Sequence, residues 1–344
     1  MLDQMKNTPF DVLGFGEVML RLSPVGKERI SQSETFDKRA GGAELNVVSG
    51  ISQLGCRTGI ITRLPDNEIG KFIKNKIRYS GISDDFITYD QSAEKRLGIY
   101  YYESGAYPRV PTVVYDRANS SFINCRVEDV SEEAYASTKV FHLSGITLAL
   151  NPSIRETALE IIKRFKEQGA FISFDVNYRA SLWDEDTARA CLMQVMQDVD
   201  ILFVSEETLR RMFRQKGDIH EIQRKFARQF NDVKVIASTR RVAKTPTRHT
   251  WHSIAYSVEE DSFFEEAPYE DIEVVDRIGS GDAYVAGALY GLIQYRTIED
   301  AVRYGNAMSA LKNTIPGDMT ACDAGDIRRV IDAHTKGQES EMVR

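Results

Sequence analysis

The run Asp276-Arg277-Ile278-Gly279-Ser280-Gly281-Asp282, followed at once by the apolar stretch from Ala283 to Leu289, has the makings of an anion cradle with a base at its rim. A β-rich segment, 272–275, leads into the Gly-Ser-Gly turn, and a helix is expected behind it. The first N–H groups of a helix lack partners within it and point at whatever sits above its start, so phosphate is the natural guest. Glycines at 279 and 281 let the main chain come close to such a ligand. Asp282 adds a carboxylate where backbone donors alone would favour only anions, and that pairing speaks for catalysis. The competing reading is an ordinary strand-to-helix turn with Asp282 as the N-terminal cap, a role that Asp often fills.

A second glycine pair opens another helical stretch. In Ala40-Gly41-Gly42-Ala43-Glu44-Leu45-Asn46 the glycines precede residues at helical spacing, Val47, Ile51 and Leu54. Such a turn presents backbone donors to a polyol. Tight packing of a strand against a helix accounts for the same residues.

Both turns need a scaffold, and the chain supplies one by alternation. Short β-branched runs at 11–17, 58–63, 140–145 and 171–177 are each followed by a helix-period segment, at 43–54, 69–80, 153–168 and 187–199. This is the pattern of βαβ units and a mostly parallel sheet. Strand candidates at 201–205, 233–239, 251–258 and 262–266, a helix at 219–230 and helices from Asp282 onward continue it. Residues 18–39 and 96–122 have strand composition without intervening helices, including Gly98-Ile99-Tyr100-Tyr101-Tyr102 and Pro111-Thr112-Val113-Val114-Tyr115. They read as a separate small sheet covering the carboxyl end of the main one, where open α/β folds bind ligands; a plain surface hairpin is the alternative.

Composition narrows the field. The chain has 344 residues, 42% of them hydrophobic, which is enough for one large core. A net charge of −7 with interleaved basic and acidic residues argues against nucleic acid as a partner. The four cysteines, Cys56, Cys125, Cys191 and Cys322, lack the paired spacing of metal or redox sites and read as free thiols. The first residues lack an apolar signal core, and no segment approaches the ~20 apolar residues of a membrane span, so no membrane association and a cytoplasmic location are the expectation.

The two glycine motifs, placed early and late in a chain of this length with an inserted strand lid, resemble the ribokinase-like, or PfkB-type, carbohydrate kinases over about residues 11–331. The resemblance implies an α/β three-layer sandwich, with a mostly parallel central sheet and a small β-sheet lid from about 18–39 and 96–122. A polar tail, 337–344, falls outside the kinase domain. In that family the late motif is the anion hole and its last Asp the base that deprotonates the sugar hydroxyl. By position the base is Asp282, with the amides of Gly279, Ser280 and Gly281 facing the transferred phosphoryl group.

Phe141-His142-Leu143-Ser144-Gly145-Ile146-Thr147, Phe174-Asp175-Val176-Asn177-Tyr178-Arg179 with Leu182-Trp183, and Val114-Tyr115-Asp116-Arg117-Ala118-Asn119-Ser120 look like segments of one branch, the 2-keto-3-deoxygluconate kinases. Carried over by position, Gly41, Gly42, Asn46, Tyr100, Tyr115, Arg117 and Arg179 would bind the sugar acid. Two arginines suit it, because guanidinium groups take carboxylates bidentately. Asp175 and Asn177 are candidates for the phosphate or metal side, and His142 is read as structural.

The resemblance also implies ATP and Mg2+, with Ser205, Thr239, Arg277, Gly279, Gly281 and Asn306 on the nucleotide side. The chain departs from the family in three places. Where the family usually has Asn-x-x-Glu, with the Glu associated with magnesium, this chain has Ser205-Glu206-Glu207-Thr208, leaving Glu206 or Glu207 for the metal. The usual glycine-rich loop after the strand at 233–238 is replaced by Ser238-Thr239-Arg240-Arg241-Val242-Ala243-Lys244-Thr245, whose cations suit phosphates. Arg277 stands for a small residue.

The leading expectation is an ATP-dependent kinase acting on the terminal hydroxyl of 2-keto-3-deoxygluconate. A kinase for fructose, ribose or 5-keto-2-deoxygluconate is the nearest alternative. A catalytically weakened homologue that binds a sugar or nucleotide as a regulator comes from a different class. A nicotinamide enzyme is suggested only by Gly14-Phe15-Gly16, and Met19 stands where the third glycine belongs. No P-loop occurs. Lid strands pair between subunits in members of this family, which extends the expectation to a homo-oligomer.

Overall fold

The computed structural model describes residues 5–337, so the expected tail lies outside the described residues beyond Gly337. In chain order the strands are β1 (Phe10–Phe15), β2 (Met19–Pro24), β3 (Phe36–Gly41), β4 (Thr58–Pro65), β5 (Ile87–Asp90), β6 (Gly98–Glu103) and β7 (Thr112–Asp116). They continue with β8 (Thr138–Ser144), β9 (Phe171–Asp175), β10 (Ile201–Phe203), β11 (Val235–Thr245), β12 (Arg248–Ser257), β13 (Ser262–Glu265) and β14 (Tyr269–Glu273).

Ten strands form one sheet in the order β13-β12-β11-β10-β9-β8-β1-β4-β5, with β14 paired to β12. From β5 to β11 every pairing is parallel; β12 joins antiparallel and carries β13 and β14. Parallel strands are covered on both faces, which is why β1, β4, β8 and β10 are buried along nearly their whole length.

The pleat sorts these strands into two cores. Val12, Ile60 and Val140 face the helices Ala43–Gln53, Ser280–Gln294 and Ile298–Asn313. Their neighbours Leu13, Ile61 and Phe141 face the helices Pro152–Glu167, Glu185–Val195 and Ile219–Ala227. The result is a three-layer α/β sandwich. Helix starts follow local chemistry: Asn151 accepts from Ile154 N with Pro152 as the first helical residue, and Asp184 caps through Thr187 N.

The residues that broke the βαβ rhythm form a separate four-stranded sheet, β3-β2-β6-β7. Met19, Tyr100 and Tyr102 pack together on it, while β7 is an edge strand exposed along most of its length. All four cysteines are free and buried. Among the described residues no helix is long and apolar enough to cross a membrane.

Two local expectations are corrected. The glycine-free stretch 238–245 is not a loop: β11 runs through it and pairs with β12 from Val235 to Thr245. β12 starts at Arg248, earlier than its apolar residues suggested, and its main chain satisfies that of the polar stretch. The segment entering the anion turn is also different, since β14 stops at Glu273. Val275 is exposed there, and Asn313 O at the end of a helix accepts the N–H groups of Val275 and Asp276.

Candidate active site

The carboxyl ends of β9 and β10, the first turns of two helices and the lid surround one cavity of about 790 Å³. The anion turn forms because Gly279 adopts the left-handed conformation, φ 80°, as the N-cap of the helix Ser280–Gln294. A Cβ there would lie 2.0 Å from Asp318 O, so glycine is required twice over. Ser280 N–H closes the turn on Arg277 O at 3.3 Å. Among the described residues, the N–H groups of Gly279 and Gly281 have no acceptor in the chain. A Cβ on Gly281 would meet nothing within 4 Å, so that position opens onto the cavity.

Asp282 follows in the first helical turn, 9% exposed, and lines the cavity. Burial pushes its carboxyl up to about 7, with Asp318 and Glu44 adding to the rise, while the hydrogen bond from Asn46 and the charge of Arg179 act against it. Asn46 Nδ2 donates to Asp282 Oδ2 at 2.7 Å from the helix that starts at Ala43. Asp175, at the end of β9, is likewise pushed up to about 7 by burial and by the Asp282 charge. A carboxylate poised near neutrality beside open anion donors can accept a hydroxyl proton while the donors receive developing negative charge.

Gly42 makes the early turn possible. Its φ is 154°, and a Cβ would lie 2.4 Å from Glu17 O. Beside it Glu44 is buried, its Oε1 accepting from Ser144 N, Ser144 Oγ and Thr147 Oγ1 at 2.7–2.9 Å. Burial raises this carboxyl above its ordinary value.

The lid supplies Tyr100, Tyr115 and Arg117, the two rings 5.8 Å apart. Tyr100 OH donates to Asp318, which with Asp276 is held by Arg21 of β2 at 2.6 and 2.5 Å. The two arginines differ. Arg117 is committed to buried Glu17 through Nε and Nη2, with Ser120 on the other carboxylate oxygen. Arg179 is exposed to the cavity, and its guanidinium makes one hydrogen bond, to the Tyr178 carbonyl at 3.2 Å.

Ser205, Glu207, Thr239, Arg240, Arg241 and Arg277 line the same cavity, Ser205, Thr239 and Arg277 among them being the residues expected to face a nucleotide. Burial and the neighbouring Arg277 charge lower the pKa of Arg241. Ser205 Oγ and Thr208 Oγ1 are 2.8 Å apart and satisfy each other as a helix cap.

A family model described as pfkB family carbohydrate kinase matches residues 10–324. The chain belongs to the PfkB family of carbohydrate kinases. It is 33% identical over 321 residues to a 2-dehydro-3-deoxygalactonokinase of Haloferax volcanii, covering 93% of this chain and 96% of that one. It is 29% identical over 308 residues to a 5-dehydro-2-deoxygluconokinase of Bacillus licheniformis, covering 88% and 89%. The crystal structure of 2-dehydro-3-deoxygluconokinase from Thermotoga maritima superposes with a TM-score of 0.89 at 32% identity, covering 94% of this chain and 98% of that one.

As a PfkB carbohydrate kinase, the chain is a phosphotransferase of a family that uses ATP, and most of its expected site residues converge. Five placements differ from expectation. Asn306 does not reach the cavity: it accepts from Trp251 Nε1 and Ser253 Oγ and donates to Glu266, at 2.7–3.1 Å, inside the core. Gly41 is a spacer, because a Cβ there would fall 2.5 Å from Asp318 Oδ2 and 2.6 Å from Tyr100 OH. Glu206 is paired with Arg210 at 2.7 Å outside the cavity lining, and Lys244 with Asp271 at 2.9 Å. Ser280 spends its N–H within the turn.

Glu17, Arg21, Glu44 and Asp318 received no role from sequence. Glu44 sits between Gly42 and Asn46 in a motif already singled out, so its signal was present. Arg21 and Asp318 carry no local signal, as their meaning lies in a contact across 297 residues.

Proposed function

We propose that this PfkB kinase transfers the γ-phosphoryl group of ATP to the terminal hydroxyl of 2-keto-3-deoxygluconate or a close epimer. The observation that carries this reading is the meeting of Asp282, the open N–H groups of Gly279 and Gly281, and the uncommitted Arg179 in one cavity. Asp282 takes the hydroxyl proton as oxygen attacks phosphorus, and the N–H groups receive charge on the phosphoryl oxygens. Asn46 aims the Asp282 carboxylate and favours its ionised form. Arg179 binds the sugar-acid carboxylate, Tyr100 and Tyr115 pack over the sugar, and Arg117, braced by Glu17, shapes the lid wall. Arg277 and Arg241 face the polyphosphate. Closure by the lid keeps water from competing for the phosphoryl group.

Mg2+ suits this donor set as an ion that arrives with ATP. Among the described residues no group of three or more His, Cys, Asp or Glu side chains is arranged to hold a metal. Magnesium with phosphates and waters as its main ligands needs few protein groups, and Glu207 is a carboxylate that lines the cavity close in sequence to Ser205. When bound, the ion neutralises phosphate charge.

The test is ADP formation with ATP and Mg2+ across 2-keto-3-deoxygluconate, 2-keto-3-deoxygalactonate, 5-keto-2-deoxygluconate, fructose and ribose, with the product phosphate located by phosphorus NMR. Turnover of 2-keto-3-deoxy acids well above the neutral sugars is expected. Preference for fructose or ribose overturns the substrate class, and tight sugar binding without ADP release favours the regulator.

A further inference from the structure

Lys312 is the next-to-last residue of the helix Ile298–Asn313, and its side chain is completely buried. Its ammonium donates to two main-chain carbonyls, Asp276 O and Ile315 O, both at 3.1 Å. Those carbonyls lie on the two segments that frame the anion turn. Asp276 opens the motif that ends at Asp282, and its carboxylate accepts Ile278 N–H and Gly317 N–H at 3.1 and 2.9 Å. Ile315 leads to Asp318, whose carbonyl presses against Gly279.

The same helix end grips the turn from the other side, since Asn313 O accepts the N–H groups of Val275 and Asp276 at 2.8 and 3.1 Å. A cation suits a helix C-terminus. Burial lowers the lysine's pKa, and the carboxylates of Asp276, Asp318 and Asp282 oppose that loss of charge. With Arg21, Lys312 supplies two buried cations for the two buried carboxylates Asp276 and Asp318. The cluster therefore balances its own charge without drawing on Asp282. An apolar residue would fill the same volume without desolvation cost, so the charge itself needs a reason.

We propose that Lys312 is a positioning residue for phosphoryl transfer, a built-in monovalent cation that clamps the carbonyls of Asp276 and Ile315 and so aims the open N–H groups of Gly279 and Gly281. The inference rests on reading that turn as the phosphoryl cradle. Carbonyl oxygens beside a carboxylate are what a dissolved monovalent ion would seek, and here the ammonium already occupies that place. A lysine serving only as a helix cap would stabilise the fold and leave turnover alone.

The experiment uses the full chain with ATP, Mg2+ and its best sugar acid. For the unmodified enzyme, kcat in potassium, ammonium, sodium and tetramethylammonium chlorides at equal ionic strength is expected to agree within about twofold. A rise of about fivefold or more in potassium or ammonium over tetramethylammonium overturns the proposal, and this arm needs no variant to fold. Lys312→Met is expected to lower kcat about 10- to 100-fold with KM for the sugar acid changed less than about twofold. Lys312→Ala should regain about fivefold or more in ~0.1 M ammonium or methylammonium, which can enter the space left, and nothing in tetramethylammonium. A folded Lys312→Met enzyme with unchanged kcat, or a Lys312→Ala loss that ammonium does not relieve, overturns it. Absence of ADP formation by the unmodified enzyme with every sugar would instead sink the kinase reading.

Discussion

Asn46 Nδ2 and Asp282 Oδ2 lie 2.7 Å apart, joining the two glycine-led helix starts across 236 residues of chain. Since the amide donates to the carboxylate, it favours the ionised form of a group that burial, with that bond in place, still lifts to about 7. Rate should therefore rise with pH through about 7 as Asp282 loses its proton. Asn46→Ala removes the donor, so the acid limb of kcat/KM moves to higher pH; Asp175→Asn removes a neighbouring negative charge and moves it lower. Asp282→Asn should lower kcat about 10²–10⁴-fold. A pH–rate profile on each variant is the check, and an acid limb that ignores both neighbours would detach Asp282 from the observed titration.

The same raised carboxyl has a stability consequence. A folded-state value near 7 against an ordinary 3.8 means that the native state holds an extra proton between those limits. Stability from this group is thus full below the unfolded value and is lost as pH rises towards and through 7. Asp282→Asn cannot ionise, and its Tm should exceed that of the unmodified protein at pH 8 by roughly 1–3 °C, the gap narrowing at pH 5 and closing only below about 4. Equal melting curves at both values would contradict the buried, charged carboxylate.

Arg117 and Arg179 should fail in different assays. Arg179→Ala removes a guanidinium with no ion partner among the described residues, so KM for a sugar acid should rise about 10- to 100-fold while Tm stays put. Arg117→Ala strands the buried Glu17 carboxylate, a loss of about 3–5 kcal/mol. Its signature is a lower Tm, relieved in part by Glu17→Gln. Identical behaviour of the two variants would remove the distinction drawn from their partners.

Gly279 and Gly281 separate fold from function. Gly279→Ala forces a side chain into a left-handed conformation and against Asp318 O, so both Tm and activity should fall. Gly281→Ala meets nothing within 4 Å among the described residues, so Tm should hold while ATP turnover drops about tenfold or more, because the methyl group would project where the phosphate is proposed to sit. Full activity in Gly281→Ala would move the phosphoryl site elsewhere.

Asn306 tests the nucleotide side. Its amide is spent on Trp251, Ser253 and Glu266, so Asn306→Ala should lower Tm and leave KM for ATP within about twofold. An ATP-specific defect in a protein of normal Tm would return the residue to the nucleotide side.

Sequence by itself determined whatever is written in short range. The period of apolar residues set the parallel strands and the helices that cover them, and the glycine pairs marked both helix starts that meet at the cavity. Asp282, Asn46 and Arg179 were legible because each sits inside or beside such a signal. The small sheet was legible too, as strand composition without helices.

Only the tertiary structure decided which groups remain free to meet a ligand. Arg117 and Arg179 look alike along the chain, yet Glu17, 100 residues from Arg117, takes one of them out of play. Asn306 was expected on the nucleotide side and is turned inward by β12. Stretch 238–245 lacks glycine because it is a paired strand. Arg21, Asp318 and Lys312 have no local pattern, because a buried ion pair is defined by distance in space and by exclusion of water, neither of which a linear pattern records.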